Sequence, residues 1–226
     1  MDGSWLRRER ARRGWTQAQA AEHVGVSQTY LSLVEHDRRP VSRSLARRLQ
    51  RHFSVPPTVL PVESERAAID AQALARDLSA LGYPGFAHVQ GGRGVNPAQV
   101  LAAALRVPDL EPRLSEALPW VVGQYADLDW PWLVAEAKQY DLQNRLGFVV
   151  GLAREVAARQ ERAATATALA AVEASLEPSR LAREDTLCRQ SMTQAERRWL
   201  REHRPALAVH WNLLTGLVPD HLSYAA

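Results

Sequence analysis

The sequence predicts an all-α protein in two parts, a small basic helical unit at residues 1–62 and a larger helical domain at residues 63–226. Three observations carry that expectation. Apolar residues recur at three- and four-residue spacing between capping residues, and no run alternates as a half-buried strand does. Glycine and proline fall between these periodic segments rather than inside most of them. Charge divides at the same boundary. Residues 1–62 hold eleven Arg, no Lys and five acids, a net of +6, whereas the remainder holds 17 basic and 20 acidic side chains, a net of −3. Lys138 is the only lysine. A GC-rich coding bias accounts for that choice of Arg but not for the asymmetry. A basic segment beside an acidic one is the footprint of phosphate neutralisation.

The first helix is expected over residues 5–13. Residues 16–35 then read as two short helices and a tight turn. Thr16 and Gln19 form a capping box. Ala21 is small where two helices must cross, Val24 is apolar, and Gly25 supplies the positive φ that ends the helix. Ser27 caps a second helix, which buries Leu31 and Val34 on one face. This is the helix-turn-helix pattern. Gln28, Thr29, Ser32 and Leu33 are left on the outer face, where Gln can bond adenine and Thr or Leu can meet a thymine methyl. Between Ser27 and Val34 there is neither Glu nor Lys, unlike an ordinary solvated helix. The bland alternative is a packing unit of the same shape with no DNA partner. A fourth helix starts near Ser42 with Leu45, Leu49 and Phe53 on one face, and prolines at 56, 57 and 61 punctuate the domain's end.

Residues 4–62 resemble the Cro/CI-like (XRE) helix-turn-helix family, through Leu6, Arg10, Gly14, Thr16, Gln17, Ala21, Gly25, Val26, Ser27, Leu31, Glu35, Arg39 and Pro40. The resemblance implies a five-helix DNA-binding domain. It implies that Gln17 and Ser27 touch phosphate, that Gln28, Thr29, Ser32 and Leu33 face bases, and that Arg10 pairs with Glu35. Arg43 and Arg47 are further candidates for phosphate. Ala20 departs from the family's usual Leu, removing core volume for Trp15 to refill. Asp37 departs from its usual Gly, so the turn after the third helix is expected to be less regular.

The second part reads as helices over 64–81, with Ile69, Leu74, Leu78 and Leu81 along one side, then 97–106, 112–125 and 130–145. A long segment over 145–176 is one helix or two broken near Gly147. Its Ala-rich stretch 163–174 is a strong helix former. A capping box at Thr193 and Glu196 opens a helix ending by His203, and Pro205 starts a last helix reaching Leu214. Trp120, Trp130 and Trp132 lie close in sequence and form a candidate partner surface. The alternative is a core in which Trp fills space between helices.

No catalytic constellation stands out. Glycines at 91, 92 and 94 lack the Lys-Ser/Thr ending and preceding strand of a phosphate cradle. Cys188 with His203 or His210 is a conceivable nucleophile and base, but a lone Cys among helices is usually a small buried apolar residue. His203, His210 and His221 lack metal-site spacing. Asp127 and Asp129 fit a helix end and a cap better than an acid/base pair. The chain is therefore expected to be no enzyme, with no cofactor and no metal.

One cysteine rules out an intramolecular disulfide, no apolar run is long enough to span a membrane, and the N-terminus lacks a secretory apolar segment. A cytoplasmic protein is expected. The function expected is a transcriptional repressor, a homodimer on a palindromic double-stranded DNA operator. Short patches at 141–150 and 210–215 resemble regulators encoded beside nucleotidyltransferase toxins of the abortive-infection type. That resemblance implies an antitoxin whose larger domain binds a cognate toxin. A ligand-sensing regulator and a DNA-targeting subunit of a larger defence complex are the alternatives.

Overall fold

Capping residues punctuate the helices of the smaller unit. In the computed structural model, which describes residues 3–53, 55–60, 70–90 and 94–225 with the side chains of Arg43, Ser44 and Arg47 excepted, these helices are α1 (Gly3–Arg12), α2 (Gln17–Val24), α3 (Gln28–Glu35) and α4 (Arg43–His52). The chain divides into two compact units, Met1–Glu63 and Ser64–Ala226. Thr16 and Gln19 exchange the two bonds of a capping box, at 3.2 and 2.9 Å. Gly25 ends α2 at φ 69°, and the Ser27 hydroxyl accepts the Tyr30 N–H at 3.1 Å. Leu6, Ala21, Val24, Leu31, Val34, Leu45, Leu49 and Phe53 form the core. Trp15 lies against that core, edge-on to Phe53 and stacked on His23 at 4.3 Å.

Two expectations are met only in part or changed here. The resemblance implies a fifth helix; of residues 55–60, those described after α4 in this unit, Pro57–Val59 form a 3-10 turn, and residues 61–63 lie outside the described residues. Asp37 is no defect in the turn. It adopts φ 55°, which Asp tolerates better than most residues, and its carboxylate accepts the Gly3 N–H at 2.7 Å. The start of α1 thus rests on the end of α3, so closely that a Cβ at Gly3 would lie 2.0 Å from the Val34 carbonyl oxygen.

The larger unit is also helical, with α5 (Ala71–Ala80), α6 (Pro97–Arg106), α7 (Pro112–Gln124), α8 (Trp130–Gln139), α9 (Gln143–Arg159), α10 (Ala163–Leu176), α11 (Gln194–His203) and α12 (Ala206–His210). α9 is buried along most of its length and runs through the centre, packed by α7, α10, α8 and α12. The helix expected over 64–81 is described from Ala71, where Asp70 caps it. Ile69 and residues 91–93 of the glycine-rich loop lie outside the described residues.

Three helix boundaries differ from expectation. The segment 130–145 is interrupted at Asp141, which takes φ 56°. The long segment 145–176 breaks at Glu161, with φ 57°, and not at Gly147. Gly147 sits inside α9 because the ring of Trp211 lies on it; a Cβ there would come within 2.4 Å of that ring. The last helix stops at His210. Asn212 then takes φ 51°, and Leu213–Leu214 (β2) pairs in parallel with Asp185–Thr186 (β1), Asp185 opposite Leu213. The periodicity of so short a pair is invisible in sequence.

Arg145 anchors β1 to α9. Its guanidinium, almost wholly buried, donates to both Asp185 carboxylate oxygens at 2.7 and 3.0 Å and to the Leu105 carbonyl at 2.7 Å. Asn144 exchanges two hydrogen bonds with the Leu181 backbone. Buried charge persists in a core only when satisfied in this way.

Gly147→Ala tests the central packing. Overpacking against a rigid indole is expected to destabilise the larger unit by about 1–3 kcal/mol, read as a lower denaturant midpoint of its Trp fluorescence transition.

Candidate nucleic-acid interface

α3 leaves Gln28 and Thr29 exposed, while Ser32 and Leu33, one turn later, are half-buried. Leu31 and Val34 hold the opposite face in the core. The exposed start of the helix therefore offers an amide, a hydroxyl and a methyl, groups that can read base edges in a major groove. After α3, the Arg39 guanidinium lies over the Tyr30 ring at 5.0 Å, which keeps a cation beside that face.

The orientation of α3 depends on one carboxylate. Glu35, its side chain fully buried, accepts from Arg10 Nε at 2.6 Å and from Arg10 Nη2 at 3.1 Å. Its Oε2 also accepts from Gln17 Nε2 at 2.9 Å. Arg10 further donates to the Trp15 carbonyl at 2.8 Å. The Glu35 hydrogen bond raises the Arg10 guanidinium above its ordinary pKa. Helices α1, α2 and α3 thus converge on Glu35.

The other sequence-predicted positions are placed as follows. Gln17 is turned inward to Glu35 and stands half-buried at the start of α2, rather than extended from the surface. Ser27 is exposed, with its hydroxyl engaged in capping α3. The side chains of Arg43 and Arg47 lie outside the described residues. Sequence reasoning missed the Tyr30–Arg39 stack and the Asp37–Gly3 bond, because both join positions that share no local pattern.

In the larger unit, Trp120, Trp130 and Trp132 pack half-buried against the main core. Trp120 meets Tyr83 and Tyr125 edge-on, and Trp130 Nε1 donates to the Ala126 carbonyl at 2.9 Å. The exposed Trp is Trp199, at 58% exposure, stacked on His203 at 4.6 Å. It edges a cleft of ≈ 380 Å³ whose apolar lining includes Leu110, Leu187, Met192, Leu200 and Leu217.

Cys188 is buried, and burial pushes its thiol up to about 11, the nearby Arg145 cation opposing the shift. Such a thiol stays protonated at neutral pH and is a poor nucleophile. His203 faces the Trp199 carbonyl, and His210 pairs with Glu177 at 2.8 Å. Asp129 caps α8 through the Trp132 N–H. Among the described residues, no three His, Cys, Asp or Glu side chains gather to hold a metal ion. No described helix is long and apolar enough to cross a membrane.

Residues 3–61 match the family model of a helix-turn-helix domain. The comparisons with curated proteins and with solved structures return no match to the chain. The smaller unit is thus a helix-turn-helix domain, the architecture of a DNA-binding regulator, and the matched residues span α1 to α4.

Glu35→Ala would leave the Arg10 guanidinium and the Gln17 amide without their shared acceptor. Breaking a buried pair of this kind is expected to cost about 3–5 kcal/mol. Amide hydrogen exchange in α1–α3 should accelerate accordingly, while α9 stays protected.

Proposed function

We propose that the chain is a sequence-specific transcriptional repressor of the Cro/CI-like (XRE) type, acting as a homodimer in the cytoplasm on a palindromic operator. The observation that carries this reading is the outer face of α3, where exposed, uncharged Gln28 and Thr29 project from a helix clamped by Glu35. Half-sites one helical turn, about 34 Å, apart would admit the two α3 helices of a dimer to successive major grooves. Repression follows from occlusion of the promoter and requires neither catalysis nor a cofactor.

The larger domain, on this reading, binds and neutralises a cognate toxin of the nucleotidyltransferase type, which makes the chain an antitoxin. Support comes from the two patches that resemble such regulators. Residues 141–150 lead into and form the first half of α9, residues 210–215 include Trp211 and β2, and Trp211 packs directly on Gly147. The likeness therefore falls on one contiguous piece of core, as a shared fold would require. A second reading, a ligand-sensing regulator, is favoured by the apolar cleft beside Trp199, whose volume suits a small molecule.

Gln28→Ala is expected to cost about 1–3 kcal/mol at one base position and to relax specificity there. Arg43→Ala and Arg47→Ala should instead weaken binding to all sequences alike and shallow the salt slope. Anisotropy titrations against operator and substituted duplexes separate the two classes, and salt-independent binding contradicts the DNA assignment. Tagged full-length protein, purified from its source cell, is expected to carry a stoichiometric nucleotidyltransferase-like protein. A partnerless preparation whose Trp fluorescence responds to a metabolite would favour the ligand-sensing reading.

A further inference from the structure

The direction in which α3 leaves the smaller unit is set by the few residues between Val24 and Gln28. Within this turn, Gly25 is the most permissive residue, at φ 69° and ψ 44°. Its N–H is satisfied by the end of α2, at the carbonyls of Ala21 and Glu22, and Val26 N–H returns to Ala21 as well. The Gly25 carbonyl points the other way. It accepts a charge-assisted hydrogen bond from Arg48 Nη1 at 2.7 Å. Arg48 belongs to α4, a helix outside the two-helix motif, fixed in the core by Leu45, Leu49 and Phe53. The Arg48 Nε is itself buried and the residue half-buried, so the side chain lies along the domain and reaches the Gly25 carbonyl at the exposed edge of the turn.

We infer that Arg48 is a positioning residue: by tying the Gly25 carbonyl to α4, it fixes the angle at which α3 is presented and so sharpens discrimination between operator and other DNA, without neutralising a phosphate. The inference rests on the DNA-reading role proposed for α3. It separates Arg48 from Arg43 and Arg47 of the same helix, which are proposed to meet phosphate. A hydrogen bond across the turn limits the twist of α3 relative to α4. Gln28 and Thr29, at the near end of α3, feel that limit most directly. Loss of the bond would leave phosphate contacts intact while the base-reading groups sample wrong angles.

The test uses full-length wild type, Arg48→Met and Arg48→Lys. Two probes serve: the tightest duplex that wild type selects from a random-sequence pool, and an unselected duplex of equal length. Anisotropy titrations across 50–200 mM salt give both affinities and their salt slopes, and thermal melting checks folding. Hydrogen bonds to charged groups are strong enough that Arg48→Met should lower the ratio of the two affinities about tenfold. The slope of log affinity against log salt should stay at the wild-type value, and Arg48→Lys should recover the ratio to within about threefold. Should Arg48→Met fail to fold, Arg48→Gln replaces it, with the same loss of ratio and unchanged slope expected. A slope shallower by about one unit would make Arg48 a phosphate contact and overturn the inference. An unchanged ratio overturns it equally. Wild type that selects no preferred duplex would instead overturn the DNA-reading role of α3, and this inference with it.

Discussion

The buried carboxylate of Glu35 is the constraint on which the smaller unit depends. A carboxylate taken out of water loses several kcal/mol of hydration unless donors replace it. Here the replacement comes from Arg10 on α1 and Gln17 on α2, which join two further helices to α3, the helix that carries the charge. An arrangement that separates any two of these helices leaves a buried charge or a buried donor unpaired. Apolar packing of Leu6, Leu31 and Val34 supplies cohesion, but it tolerates sliding. The two-pronged Arg10 fork does not, because both nitrogens must meet both oxygens. Asp37 and Gly3 close the same junction from the other side. The outcome is a rigid α3 with bare Gln28 and Thr29 at its start.

A comparable logic organises the larger unit. α9 is too deeply buried to carry charge unpaired, and it nonetheless holds Arg145 near its start. Asp185 and the Leu105 carbonyl satisfy that cation, and in doing so they hold β1 against the bundle and bring β2 alongside. Gly147 then lets Trp211 settle on the helix surface. The two short strands are a consequence of these contacts rather than a nucleus of their own.

What was legible in the sequence was what is local. Thr16, Gly25, Ser27 and Thr193 announce their helix ends because a cap acts over three or four residues, and the structure places each where its spacing requires. The exposed and buried faces of α3 follow from the same periodicity. Gly147 was misleading for the converse reason: it reads as a breaker unless Trp211, distant in the chain, is known to lie on it. Trp120, Trp130 and Trp132 lie close in sequence and are half-buried against the core, whereas the more exposed Trp199 lies outside that sequence cluster. Asp141, Glu161 and Asn212 take left-handed φ values where no glycine marks the bend. In the site, the inward turn of Gln17 and the reach of Arg48 to the Gly25 carbonyl are tertiary facts with no sequence signature.

The central claim is that α3 reads a defined DNA sequence from a clamped position. A hydroxyl-radical footprint of the full-length protein on a DNA fragment carrying the tightest sequence it selects from a random pool tests that claim most directly. The account predicts two protected tracts, related by symmetry and centred about one helical turn apart. Absence of protection, or uniform protection along the whole fragment, would contradict it.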